Sequence, residues 1–474
     1  LEESKHAATL ALAIDPLDFW AGNEQYLAAS KMSSPEAVKH LVEDLTQRMR
    51  GEPQNYLEMA IDYARCGSWD EAIGVLARLD DAGNAKKLSP MVYYFLGFFN
   101  EQKGSSDEAV KYYRLGSRAN PDYCFPFRME AQAVLESALR SNPRDARAYY
   151  YLGNLLYDHQ PEKAIRAWET SREMDDSYAT VHRNLGLAYA RVEGNLTKGI
   201  PSLEKAVALD PADARVLFEL DQLSEQAGIP AGKRLARLES RQQTVFDRDD
   251  AVQRQLVLYV QLGQYDKAIE VLARRHFHVW EGGGDIHDVY INAHLLRGQQ
   301  QMKNQRFREA LKDFEAALEY PENLEVGRPL RAQRDAEIYF FIARAHEALG
   351  SAAPAKIYFQ KSVAEKPDVM EVRYFQGLAH RRLGQEPQAA EIFDALRAAG
   401  KRELDAASDL DYFAKFGEKR SDALRLAHAR YLMGLGYVGE GKRAEARAQF
   451  EEVLRKNVNH LGAITQLAAL QKGA

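Results

Sequence analysis

The chain has 474 residues, 46% of them hydrophobic and 28% charged, and its 63 basic and 69 acidic side chains leave a net charge of −6. This composition excludes a disordered chain, and the interleaved charges offer no Lys/Arg block to neutralise a run of phosphates, so nucleic acid is not an expected partner. No apolar run reaches the roughly 20 residues of a membrane-spanning helix, and Cys66 and Cys124, without a CxxC pair, make no disulfide framework. The chain opens at Leu1 without a methionine or a signal-peptide pattern. It reads as a fragment or processed form, with a cytoplasmic location expected and any signal region outside it.

Taken in order, the first 50 residues read as leading helices, after which a unit of two helices recurs. Its signature is one small residue in each helix, followed by a large apolar residue and a closing proline. Ala60, Ala72 and Leu76 make a weak first copy, and Gly97, Ala109, Tyr113 and Pro121 a clear one within "MVYYFLGFFNEQKGSSDEAVKYYRLGSRANP" (91–121). The next stretch, "CFPFRMEAQAVLESALRSNP" (124–143), has Ala131, Leu135, Ala138 and Pro143 at second-helix spacing and reads as a half-repeat. Full copies return with Gly153, Ala164 and Trp168, then with Gly186, Gly199, Leu203, Ala206 and Pro211. Spacing lapses after Pro211. It resumes with Gly298, Ala310, Phe314, Ala317 and Pro321, then Ala343, Ala355, Phe359 and Pro367, then Gly377, Ala389 and Phe393, and last Gly434, Ala446 and Phe450.

This is the tetratricopeptide pattern. At 3.6 residues per turn, small and large apolar positions three, four and seven apart form one stripe, and Gly or Ala is needed where two helix backbones touch. The expected fold is an all-α, right-handed tetratricopeptide superhelix with irregular inserted helices, because no alternating β-branched segment of useful length is present. The insertions follow from uneven spacing: 55 residues separate Ala109 from Ala164 and 57 separate Ala389 from Ala446, against 34 from Ala355 to Ala389. The expected division is a first stack over 51–230, a partly irregular junction over 231–284 and a second stack over 285–474.

Several stretches go beyond a generic repeat. "CFPFR" (124–128), "YYLGNLLYD" (150–158), "RNLGLAYA" (183–190), "DARVLFELDQL" (213–223), "FHVWEGG" (277–283), "ALEYPENL" (317–324) and "RYLMGLGYVGEG" (430–441) together resemble one bacterial family. In that family a C-terminal tetratricopeptide array follows an N-terminal galactose-mutarotase-like β-sandwich domain of unknown function. The resemblance implies that this chain is the helical half of a larger protein. The departure is at 325–335, where "EVGRPLRAQRD" replaces a more Gly-rich linker.

Residues three before, one after and four after the Gly position are expected to face the groove of such a stack. These are Tyr94, Phe98 and Glu101, then Tyr150, Asn154 and Tyr157, then Arg183, Leu187 and Ala190. An aromatic wall with Asn154 and Arg183 beside it suits an extended peptide, the Asn pairing with its backbone and the Arg with a carboxylate, and it would also stack on a sugar ring. The competing reading has these tyrosines packing on neighbouring repeats or on an absent domain. The second candidate is the inter-repeat loop "RRHFHVWEGGGDIH" (274–287). His276, His278, Glu281 and His287 lack the His-x3-His or paired-Cys spacing of a zinc site, so no metal is expected; Phe277 and Trp280 read as plugs, with the histidines facing polar partners or the absent domain.

Gly-x-Ser-x-Gly and a strand–glycine-loop–helix phosphate site are both missing, and "RLGSRAN" (114–120) falls inside a repeat. Asp175–Asp176 and Asp249–Asp250 read as helix-end carboxylates rather than an acid/base pair. The expectation is therefore a non-catalytic scaffold without cofactor. It would hold a protein or peptide in its groove or dock its own N-terminal domain. The alternative makes it the helical part of a carbohydrate-active enzyme, giving rim contacts to a sugar site on the missing half.

Overall fold

A computed structural model describes residues 2–32, 35–81, 88–278, 286–329, 334–405 and 422–471. Every regular element among them is a helix, and the chain divides into two compact units, Leu1–Leu209 and Asp210–Ala474.

The first unit opens with Glu2–Ile14, Phe19–Met32 and Pro35–Met49 and continues as antiparallel pairs: Pro53–Arg65 with Trp69–Asp81, Pro90–Lys103 with Ser106–Arg118, Ala146–Leu156 with Pro161–Met174, and Ala179–Arg191 with Leu196–Leu209. Local chemistry sets the ends of these helices. Proline opens the helices at Pro53, Pro90 and Pro161, where the missing N–H would have no intrahelical partner, and Gly104 closes one in the left-handed region at φ 92°. The half-repeat is a single helix, Glu130–Ser141, buried through Ala131, Leu135 and Ala138.

The small residues sit where the pattern requires them. A Cβ on Gly97 would stand 2.5 Å from the ring of Tyr113, one on Gly186 2.7 Å from Leu203, and one on Gly377 2.6 Å from Phe393. Trp168, Phe314 and Phe450 crowd Gly153, Gly298 and Gly434 in the same way. In these six repeats the large residue thus lies on the bare backbone of the same repeat's first helix. Overfilling such a contact costs about 1–3 kcal/mol. The second-helix alanines, Ala72, Ala109, Ala164, Ala206, Ala310, Ala355, Ala389 and Ala446, are all buried.

In the second unit, Ala214–Gln226, Ala231–Glu239, Gln242–Phe246, Asp249–Gln261 and Tyr265–Arg274 occupy the stretch where repeat spacing lapses. Regular pairs follow: Ile286–Lys303 with Phe307–Ala316, Asp335–Ala348 with Ala352–Ala364, Arg373–Arg382 with Glu386–Asp405, and Asp422–Gly439 with Arg443–Lys456, before Leu461–Gln471.

Candidate functional site

Asp145 organises the approach to the site. It caps helix Ala146–Leu156 by accepting hydrogen bonds from the backbone N–H of Arg147 and Ala148 at 3.1 and 3.0 Å. The hydroxyl of Tyr94 donates to its other oxygen at 2.9 Å. Burial lifts the Asp145 carboxyl above the usual carboxylate range against the pull of these donors.

Tyr94 therefore corrects the sequence reading. It is fully buried, and a Cβ on Gly116 would meet its ring at 3.1 Å, so the residue three before Gly97 shares the face that packs on the second helix of its own repeat. Glu101 is drawn into packing as well, accepting from Tyr113 at 2.6 Å and from Ser137 of the half-repeat. Phe98 borders a separate small opening with Trp69 and Glu130.

The other predicted residues do come together. Tyr150, Asn154, Tyr157 and Arg183 line one opening of about 290 Å³, joined by Trp168, Asn184, Arg191 and Phe125. Trp168 is the hub: its Nε1–H donates to the Tyr150 carbonyl at 3.2 Å and to Asn154 Oδ1 at 3.1 Å, and its ring lies 5.2 Å from that of Tyr157. Asn184 Nδ2 donates to the same Asn154 oxygen at 3.0 Å, which joins two consecutive first helices through their amides. Tyr150 is only 2% exposed, packed edge-on to Tyr178 at 5.0 Å, so it supplies structure to the wall more than surface. Burial raises its hydroxyl well above the ordinary phenol value and keeps it neutral.

Sequence reasoning missed Asn184 and Arg191. Their signal was present in the stripe Thr180, Asn184, Leu187 and Arg191, spaced four, three and four apart on helix Ala179–Arg191, all bordering the opening. Among the described residues, the charged side chains lining the opening are Arg183, Arg191 and Asp158, two basic to one acidic.

The histidine loop is arranged differently. His276 Nε2 lies 2.7 Å from Glu325 Oε1, and His278 donates its backbone N–H to Asp249 at 2.9 Å, with the two rings 5.0 Å apart at the surface. Phe277 is buried, donating its N–H to the Asn323 carbonyl, with the Arg275 guanidinium 5.6 Å from its ring. His287 is a core residue, stacked at 3.9 Å on Tyr320 with Nε2 2.9 Å from the Glu319 carbonyl; burial holds its imidazole below the usual value. Trp280 and Glu281 lie outside the described residues. Among those described, no three His, Cys, Asp or Glu side chains gather as a metal-ligand set.

The paired carboxylates are likewise in structural use: Asp175 accepts from the Ser177 N–H at 3.0 Å, and Asp250 pairs with Arg248 at 2.6 Å. No described helix is long and apolar enough to cross a membrane.

The tetratricopeptide repeat family matches residues 127–162, 154–214 and 295–369, and a second tetratricopeptide repeat family matches 92–123. The chain carries tetratricopeptide repeats. The matched stretches hold every residue of the Arg183 opening except Phe125. Solved structures that the chain is similar to include MamA from Desulfovibrio magneticus RS-1, at 21% identity over 42% of this chain and 97% of that one, TM-score 0.25. Human IFIT1, solved as a dimer with PPP-AAAA, is 17% identical over 84% of this chain and 89% of that one, TM-score 0.26. YrrB, described as a TPR protein with an unusual peptide-binding site, is 18% identical over 45% of this chain and 97% of that one, TM-score 0.20. Tetratricopeptide stacks are interaction scaffolds, presenting extended surfaces to protein partners.

Proposed function

We propose that the chain is a non-catalytic scaffold that takes an extended, acidic peptide segment of a protein partner in the Arg183 opening. The observation that carries this reading is the convergence of two arginines, two asparagine amides and the Tyr157–Trp168 aromatic pair on one opening from two consecutive repeats. Guanidinium groups pair with carboxylates in a planar fork, amides pair with peptide backbone, and the half-buried Tyr157 ring, backed by Trp168, receives an apolar side chain. The partner segment belongs to another protein or to the N-terminal mutarotase-like domain that the sequence resemblance implies.

The test is fluorescence anisotropy of this chain against an array of synthetic acidic peptides. Arg183→Ala combined with Arg191→Ala should weaken the best peptide about tenfold or more while the helical circular dichroism is unchanged. Binding indifferent to both arginines rejects the reading. An oligosaccharide array run alongside distinguishes the alternative, in which these loops and walls serve a sugar site: sugar binding without peptide binding would favour it.

A further inference from the structure

The segment linking Ser106–Arg118 to Glu130–Ser141 has an unusual surface. Tyr123, Phe125, Phe127 and Met129 are 94%, 68%, 63% and 62% exposed, while Cys124 between them is buried with its sulfur 3.8 Å from Ser89 Oγ. Pro126 and Arg128 are half-buried beside Cys124, so this strap is pinned on one side and bare on the other. A cluster of exposed large apolar side chains is the ordinary mark of an interaction surface.

Beneath the strap lies a cavity of about 530 Å³ walled by Leu57, Ile61, Leu88, Met91, Phe95 and Phe127, a volume typical of ligand and anchor pockets. Among the described residues its lining carries Glu52 and Asp122, and Arg128, also there, is engaged by Glu58 at 2.5 Å. Phe125 lines this cavity and also the Arg183 opening. One aromatic ring thus stands between an apolar cavity with an acidic border and an aromatic opening with a basic one.

We propose that these are two halves of a single interface, filled by one extended partner segment that crosses Phe125. A large apolar side chain of the partner enters the cavity under the strap, its flanking cation faces Glu52 and Asp122, and its carboxylate reaches Arg183 and Arg191. The opposite charges of the two borders give the segment its direction. The inference rests on the Arg183 reading above and adds the apolar anchor and the polarity of the partner.

The experiment uses the chain with synthetic peptides in which the spacing between a tryptophan with a neighbouring lysine and a glutamate pair is varied, read by fluorescence anisotropy. The expected result is one preferred spacing, with binding weakened about tenfold or more by Phe127→Ser. Replacing the peptide tryptophan by alanine should cost as much with the wild-type chain and little more with Phe127→Ser, because the two residues occupy one contact. Phe127 is exposed, so unchanged circular dichroism is expected and separates a lost contact from a lost fold.

Binding that follows the glutamates and the two arginines, indifferent to tryptophan and to Phe127→Ser, overturns this inference and leaves the Arg183 reading standing. Binding that follows tryptophan and Phe127 but ignores Arg183 and Arg191 overturns both. Wild-type dimers in sedimentation that Phe127→Ser dissociates would make a second copy the occupant and overturn it as well. So would an array without a binder.

Discussion

The two compact units bury different things. In the first, one apolar cluster runs from Leu45 to Tyr189, and the contacts that join its repeats include hydrogen bonds from neutral donors, Tyr94 to Asp145 and Trp168 to Tyr150 and Asn154. In the second, the clusters around Phe393, Phe314 and Phe359 are smaller and ion pairs are buried as well. Arg234, 1% exposed, grips Asp221 with two bonds of 2.8 and 2.7 Å, and Arg254 spans Asp221 and Glu225 at 2.7 and 2.5 Å. Burial alone would lift the Asp221 carboxyl, but both guanidiniums overcome it and hold it below its ordinary value. Breaking a buried ion network strands a charge, whereas trimming an apolar stack leaves a cavity.

The comparison is broken most sharply by Asp221→Ala. It strands a buried guanidinium, so the second unit should lose about 3–5 kcal/mol, read as lost hydrogen-exchange protection over 214–260. A loss under about 1 kcal/mol would mean that water already serves Arg234 and that the network is not buried in effect. In the first unit the corresponding strike is Tyr150→Ala, which removes a ring packed against Tyr151 and Tyr178. The expected loss is about 3 kcal/mol or more in chemical denaturation, close to that of a buried Phe→Ala. A change within about 0.5 kcal/mol would return Tyr150 to the surface and to the groove.

Most of the repeat architecture was legible because it depends on contact between two bare backbones. Gly97, Gly153, Gly186, Gly298, Gly377 and Gly434 cannot carry a Cβ where Tyr113, Trp168, Leu203, Phe314, Phe393 and Phe450 lie, and that exclusion is written directly in residue types. The site was legible only in part. Helical spacing places Tyr150, Asn154, Tyr157 and Arg183 near one another, but burial depends on what neighbouring repeats bring, and Gly116 on the second helix takes up the ring of Tyr94. The strap at 122–129 was invisible for a different reason. Nothing in "DYCFPFRM" says which alternate set of side chains is bare until Cys124 is seated against Ser89.

A smaller effect sharpens the contrast through pH. His428 lies 2.8 Å from Glu403 and 3.4 Å from Glu371, and these partners, Glu371 foremost, raise its imidazole above the ordinary value despite burial. A raised folded-state value means stability that is fully present below the unfolded value of about 6.5 and fades as pH rises through the folded one. Glu371, held low by the same contact against the lift of burial, sets the opposite limit, its share being lost as pH falls through its own depressed value. Neighbouring His460 is lowered by burial and trends the other way near neutrality, so the wild-type profile alone is ambiguous. The difference between wild type and His428→Gln isolates the pair. It should be roughly 1–2 kcal/mol near pH 6 and less than half that near pH 9, from melts of both proteins in the same buffers. A difference flat across that range would make His428 a packing residue.

The smallest expected effect tests whether buried polar contacts in the second unit differ in kind from its surface ones. His276 and His278 engage Glu325 and Asp249, but their side chains are 56% and 78% exposed. Water screens such pairs, and their contribution is usually within about 0–1 kcal/mol. Asp249 keeps its other partners without them: Arg275 holds it at 2.6 Å, and the His278 backbone N–H, which donates at 2.9 Å, survives any side-chain change. His276→Ala with His278→Ala should therefore shift stability by no more than about 0.5 kcal/mol. Melts with and without added Zn²⁺ complete the test, because among the described residues no three His, Cys, Asp or Glu side chains gather as a ligand set. A zinc-dependent rise in melting temperature that the double variant abolishes would mean that further donors join these two histidines. The loop would then rank with the Arg183 opening as a candidate site.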